Sequence, residues 1–299
     1  MPATGSGPKQ TGERSVRRSA WMGVDWPAHT RTLTVDGRRA NVVELGEGPP
    51  MLFVHGLSGC WQNWLEQLPA FAASRRVIAV DLPGFGESEL PERDPSIPGY
   101  AVFLDRLCDR LGVAEPAVVV GNSMGGFVAA ELAIAVPERV ERLVLVSAAG
   151  ISSDRVQRRP VLTTARAIAL VTAWGASRHE AFARRAGLRQ AVLSFVVRHP
   201  ERLPAPLAFE LMRGSGRPGF LPALDALLGY PLRDRLPQIA CPTLIVWGED
   251  DRVIPVNDAG RFERLIPGAR KVVLPDTGHV AMLERPVVFN GLLQAFLDE

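Results

Sequence analysis

Six short apolar runs in this chain are each followed by a helix-like segment, and that alternation restricts the fold more than any other feature. The runs are MLFV (51–54), RVIAV (76–80), AVVV (117–120), RLVLVS (142–147), TLIVW (243–247) and KVVL (271–274). Helical patterns are expected over 61–73, 100–111, 124–135, 257–265 and 285–297. A strand that is apolar at every position is buried on both faces, which a parallel sheet between two layers of helices provides. Ahead of these runs, Asp36-Gly37 joins TRTLTV to RANVVEL, a two-residue turn signal that opens the fold with an antiparallel hairpin. The expectation is an α/β fold: a mostly parallel eight-stranded sheet with helices on both faces.

The segment 151–230 breaks the rhythm. LTTARAIALVTAW, HEAFARRAGLRQAVLSFVVRHP and LAFELMRG are all helical in pattern, with prolines between them and no convincing strand. This predicts a helical insertion after strand 6. The chain then divides into a flexible basic tail (1–28), a core from 29–150 and 231–299, and the insertion (151–230). The insertion carries twelve arginines against five acids, although the whole chain has a net charge of only +2. An acidic body with one basic segment argues against nucleic-acid binding as the main role. Because the chain uses arginine almost to the exclusion of lysine, the excess reads first as a solvated surface. Docking onto the acidic core, attraction of anionic substrates, and peripheral contact with a lipid surface are the other readings. Trp174, Phe182, Phe195 and Phe209 serve either the insertion's own core or an apolar pocket.

No apolar run approaches the roughly 18–20 residues of a membrane span. The tail MPATGSGPKQTGERSVRRSA lacks the apolar stretch of a secretory signal. Cys60, Cys108 and Cys241 are odd in number and show no metal-binding spacing, so they are expected as free thiols in a reducing, cytoplasmic setting. No cofactor or metal is implied, and the oligomeric state is not legible.

In such a sheet, ligands bind beyond the carboxyl ends of the strands. AVVV is followed by Gly121-Asn122-Ser123-Met124-Gly125, a G-x-S-x-G placed between a strand and a helix. That context is what a nucleophile elbow requires, and Ser123 is the candidate nucleophile. The plainer reading is a serine N-cap on an ordinary helix. After MLFV comes His55-Gly56-Leu57-Ser58-Gly59, whose backbone can turn an N–H towards the serine; Leu57 is preferred over Ser58. With the N–H of Met124 it would form a two-donor oxyanion hole. His55 reads as a structural residue holding this loop. Asp250 and Asp251 follow TLIVW, and His279 follows KVVL, giving the chain order Ser, Asp, His. His279 would take the serine proton while a carboxylate fixes its tautomer. Which aspartate does so is open at this level. His29, His179 and His199 read as surface residues.

These residues carry a resemblance. FVHGLSG, VDLPGFGES (80–88), VVGNSMGG, PTLIVWGEDDRVIP (242–255) and DTGHVAMLERP (276–286), in this order, resemble a capped α/β-hydrolase with a serine nucleophile over about residues 32–297. The resemblance implies Asp251 as the acid, Leu57 and Met124 as oxyanion donors, and a cap in the helical insertion. Serine at the elbow argues against the dehalogenase and epoxide hydrolase branches, which use aspartate. Hydrolysis of small to medium apolar carboxylic esters through an acyl-enzyme is the expected activity, with a small-molecule ester as the partner. GNSMGG is also similar to hydrolases that cleave C–C bonds in meta-cleavage products, but those typically place Trp after the histidine, and here Val280 follows His279. Cofactor-free haloperoxidase or perhydrolase chemistry and a slow-turnover ligand receptor are further alternatives on the same fold.

Overall fold

The computed structural model describes residues 19–152 and 185–299. Eight strands form one sheet in the order β1-β2-β4-β3-β5-β6-β7-β8. They are β1 (Thr30–Val35), β2 (Arg38–Leu45), β3 (Pro50–Val54), β4 (Arg76–Val80), β5 (Ala117–Asn122), β6 (Val140–Val146), β7 (Thr243–Gly248) and β8 (Arg270–Leu274). Strand β2 runs antiparallel to both β1 and β4, and every other pairing is parallel. The hairpin turn has positive φ at both central residues, Asp36 (50°) and Gly37 (74°), as a type I′ turn requires.

The apolar runs bury both faces. Val119, Leu143, Leu145 and Ile245 face one hydrophobic cluster, and Val118, Val120, Val144 and Val246 face the other. On the first face lie α1 (Ile97–Arg110) and α2 (Met124–Ala135). Ser96 caps α1 by accepting the Gly99 N–H at 3.1 Å, and Gly112, at φ 67°, lies just past the helix end, where only glycine takes that angle freely. Helix α2 is buried along residues 124–133, which is why its sequence is apolar on all sides apart from Glu131.

Between β6 and β7, the described part of the insertion contains helices α3 (Ala186–Leu193), α4 (Ala205–Met212) and α5 (Phe220–Leu228) and no strand. His179, Trp174 and Phe182 lie outside the described residues. Phe195 is 60% exposed, whereas Phe209 packs against the second cluster. Helices α6 (Asn257–Leu265) and α7 (Pro286–Leu297) complete the two layers, α6 with the first cluster and α7 with the second. Among the described residues, no helix is long and apolar enough to cross a membrane.

Two expectations differ from the structure. The helix expected over 61–73 comes as a 3-10 turn, Trp61–Trp64, and a separate helical turn, Leu68–Phe71, with Pro69 in its first turn. Within the tail expected to be flexible to residue 28, two tryptophans hold residues 19–28 against the core. Trp21 is buried and donates its Nε1–H to Glu66 at 2.9 Å, and the Trp26 ring lies 5.0 Å from that of Trp61. Large aromatic side chains bury enough area to hold a short segment against the core.

Candidate active site

The register of the parallel strands lines up the ends that carry the candidate residues. Val54 pairs with Gly121, Asn122 with Val146, and Gly248 with Leu274. The turns after β3, β5, β7 and β8 therefore share one edge of the sheet.

Ser123 stands where β5 becomes α2, with φ at 55°. A non-glycine residue in this left-handed region costs of the order of 1–3 kcal/mol, and it persists only where its surroundings fix it. Here they do. Ser123 N–H donates to Val146 O at 2.9 Å, and Ser123 O accepts from Phe127 and Ala149, each at 3.1 Å. The hydroxyl makes no capping hydrogen bond to the helix, so the plainer N-cap reading does not describe this serine. Gly125 allows the tight bend. A Cβ there would sit 2.2 Å from Val54 O and 2.4 Å from His55 O, a collision with two backbone atoms.

The turn after β3 closes through Gly59 N–H to Gly56 O at 2.9 Å, with Ser58 at φ 62° in its third position. Positive φ at that position marks a type II turn, whose second residue, Leu57, lends no N–H to the closing bond. Gly56 brings the turn onto the elbow: a Cβ on it would lie 3.0 Å from Ser123 Cβ. Met124 is the first residue of α2, so its N–H is among those with no acceptor inside the helix.

His55 is fully buried and braces this turn from behind. Leu82 N–H donates to its Nε2 at 3.0 Å, which leaves the proton on Nδ1 to donate to Gly56 O at 2.8 Å. Burial holds its pKa below the ordinary histidine value, against the opposing charge of Asp81. Both nitrogens are engaged, and the residue is a neutral strut.

On the other side, His279 Nδ1 lies 2.8 Å from Asp251 Oδ2, with His279 5% exposed. The second oxygen of Asp251 accepts the N–H groups of Val253 and Ile254 at 2.8 and 2.9 Å. Asp250 faces elsewhere, with Oδ2 at 3.3 Å from Arg198 Nε. The two neighbours thus separate by direction: one carboxylate is turned inward to the histidine, the other outward to an arginine.

Asn122 was not foreseen. Its buried side chain donates to Val146 O at 3.1 Å and to His279 O at 3.3 Å, joining the residue before Ser123 to the backbone of the histidine loop. The only sequence signal was an amide side chain inside an otherwise apolar strand end. A second unforeseen residue is Asp81, buried after β4. Its oxygens accept from Trp61 N–H at 2.8 Å, Asn41 Nδ2 at 2.8 Å and Glu87 N–H at 3.0 Å. An acid directly after a five-residue apolar strand is a usable signal, since a buried carboxylate needs partners. His199, expected at the surface, is partly buried and lies 2.5 Å from Asp276. Among the described residues, no cluster of His, Cys, Asp and Glu is arranged to hold a metal ion.

The family described as alpha/beta hydrolase fold matches residues 49–286. The chain is 32% identical over 292 residues to a 2-hydroxymuconate semialdehyde hydrolase from a Pseudomonas strain, covering 91% of this chain and 95% of that one. It is also 32% identical over 274 residues to the dihydrolipoyllysine-residue acetyltransferase component of the acetoin cleaving system of Cupriavidus necator, covering 88% and 67% of the two chains. The structure is similar to that of the enol-lactonase of Burkholderia xenovorans, with a TM-score of 0.73 and 26% identity over 90% of this chain and 100% of that one.

Proposed function

The chain belongs to the α/β-hydrolase family, and from that premise we propose that it is a serine hydrolase of small to medium apolar carboxylic esters. Ser123 Oγ attacks the ester carbonyl while His279 Nε2 takes its proton. Asp251, bonded to Nδ1, holds the tautomer and stabilises the imidazolium. The carbonyl oxygen becomes an oxyanion held by the N–H groups of Leu57 and Met124. Collapse expels the alcohol, which leaves with the proton from His279, and the acyl group stays on Ser123. Water, deprotonated by His279, then releases the acid and restores the hydroxyl.

The observation that carries this reading is the inward pairing of Asp251 with His279, together with the Asn122 bond that ties the His279 loop to the elbow. An uncapped serine at positive φ beside that loop fits a nucleophile better than a structural residue. We assign the insertion, 151–230, the role of a cap that shapes the acyl or alcohol pocket. Two close approaches support this. Gly214 lies against the turn after β3, where a Cβ would meet Ser58 O at 2.3 Å, and Gly219 N–H donates to Gly84 O at 3.0 Å.

The second reading is hydrolysis of a C–C bond, favoured by the 32% identity to a 2-hydroxymuconate semialdehyde hydrolase over 95% of its length. The two are separated by assaying p-nitrophenyl esters of graded acyl length beside a vinylogous 1,5-diketone, each with wild type and Ser123→Ala. The ester reading expects kcat/KM on the best ester to exceed that on the diketone by at least roughly tenfold, a gap of about 1.4 kcal/mol in transition-state stabilisation. The opposite order would replace it with C–C hydrolysis.

A further inference from the structure

One carboxylate beside the His279 loop has no part in the proposed reaction and yet joins two distant segments. Glu284 ends the helical turn Ala281–Glu284. Its Oε2 accepts the N–H of Arg198 at 2.7 Å, and its two oxygens lie 3.0 and 3.1 Å from the N–H of Gly278. Arg198 belongs to the insertion, and Gly278 is the residue before His279. The same segments also meet directly, because His279 N–H donates to Val196 O at 2.9 Å. The junction is closely packed: a Cβ on Gly278 would lie 2.8 Å from Arg198 N, 2.9 Å from Glu284 Oε1 and 3.0 Å from Val196 O.

Other bonds link the same stretch of the insertion to the core. Arg252 reaches Ser194 O at 3.0 Å, Arg198 Nε faces Asp250 at 3.3 Å, and Arg202 pairs with Asp276 at 3.0 Å. These are exposed or half-exposed and individually weak. Glu284 differs in kind. It is the acceptor for two backbone N–H groups at a packed junction, and its removal leaves both without a partner.

We propose that Glu284 is a positioning residue for His279, clamping residues 196–198 of the insertion to the His279 loop so that seating the insertion and placing the imidazole are one event. The inference rests on reading His279 as the base. Glu284 touches no reacting atom; it acts through the backbone of Gly278, next to His279, and of Arg198.

The test uses the full chain with Glu284→Gln and Glu284→Ala. Hydrolysis of p-nitrophenyl butyrate is measured per active site, counted by a fluorophosphonate that labels Ser123, and melting temperatures are taken alongside. Removing the acceptor in Glu284→Ala should lower kcat by roughly 10²-fold with KM nearly unchanged, because small displacements of a catalytic group act on the transition state. Glu284→Gln keeps one acceptor oxygen and should lose about three- to tenfold, a smaller displacement of the same group. Unchanged kcat per labelled site in both variants, with only the melting temperature lowered, would overturn the proposal. If Glu284→Ala does not fold, the Gln variant decides by the same criterion. A second readout needs no substrate: the low-field proton resonance of His279 Nδ1–H, bonded to Asp251, should shift or broaden in the variants. A resonance identical to wild type overturns the proposal even if esters are not the substrate, whereas failure of Ser123→Ala to lose activity would strike the reaction mechanism alone.

Discussion

Asp251 Oδ2 lies 2.8 Å from His279 Nδ1, while its neighbour Asp250 points to Arg198 at 3.3 Å. One residue along the chain therefore separates a buried partner of the histidine from a half-exposed surface charge. Asp251→Asn should lower kcat by about 10⁴-fold, since an amide holds the wrong tautomer. Asp250→Asn should change kcat by less than about threefold, because its carboxylate faces Arg198 and not the histidine. Steady-state kinetics of the two single variants decide this, and the reverse order would move the acid to Asp250.

His55 bonds both Gly56 O and Leu82 N–H from a fully buried site. His55→Ala leaves those groups unpaired and opens a cavity, which should cost about 2–5 kcal/mol. At this chain length, that corresponds to a fall in melting temperature of roughly 5–15 °C. Calorimetry showing a shift below about 2 °C would contradict the bracing role.

Gly125→Ala places a methyl 2.2 Å from Val54 O and 2.4 Å from His55 O. Both partners are backbone, so the elbow must move rather than a side chain. Expression with wild-type stability and wild-type kcat would contradict the packing described for the turn. The expected result is loss of stability together with a kcat reduced by at least roughly 10²-fold, from misplacement of Ser123.

Burial pushes the Cys108 thiol up to about 11 and raises that of Cys60 further, with the charge of Asp81 adding to it. Fewer thiolates form at a given pH, so both should resist iodoacetamide in the native protein while the half-buried Cys241 reacts first. The sign for stability follows. Below the ordinary thiol value of 9.0, folded and unfolded chains are both protonated at Cys108, and above it the unfolded chain loses its proton first. Stability should therefore fall as pH rises between about 9 and 11. Mass spectrometry after timed alkylation and urea titrations across that range check the two outcomes.

Much of this architecture is legible in the residues themselves, because burial on both faces writes itself as continuous apolar runs. All eight strands follow from such runs or from the Asp36-Gly37 turn, and helix Met124–Ala135 from its lack of any polar break but Glu131. Glu131 is tolerated inside because Arg235 pairs with it. The choice between Asp250 and Asp251 is different, since it depends on which way adjacent side chains point after a strand ends. The roles of Asn122, Asp81 and Glu284 are not legible for a related reason: each has at least one partner from another segment of the chain, and local patterning carries no record of that partner. The break in the helix expected over 61–73 was signalled by Pro69, which favours a first turn and disfavours a helix interior. The anchoring of residues 19–28 was signalled only by Trp21 and Trp26, large rings in an otherwise polar segment.

The central claim is that Ser123 is the nucleophile, and the most direct measurement compares wild type with Ser123→Ala on the best p-nitrophenyl ester, with the melting temperature recorded for both. The expected result is a loss of about 10⁴–10⁶ in kcat with an unchanged fold. Retention of most of the activity by a folded Ser123→Ala protein would contradict it.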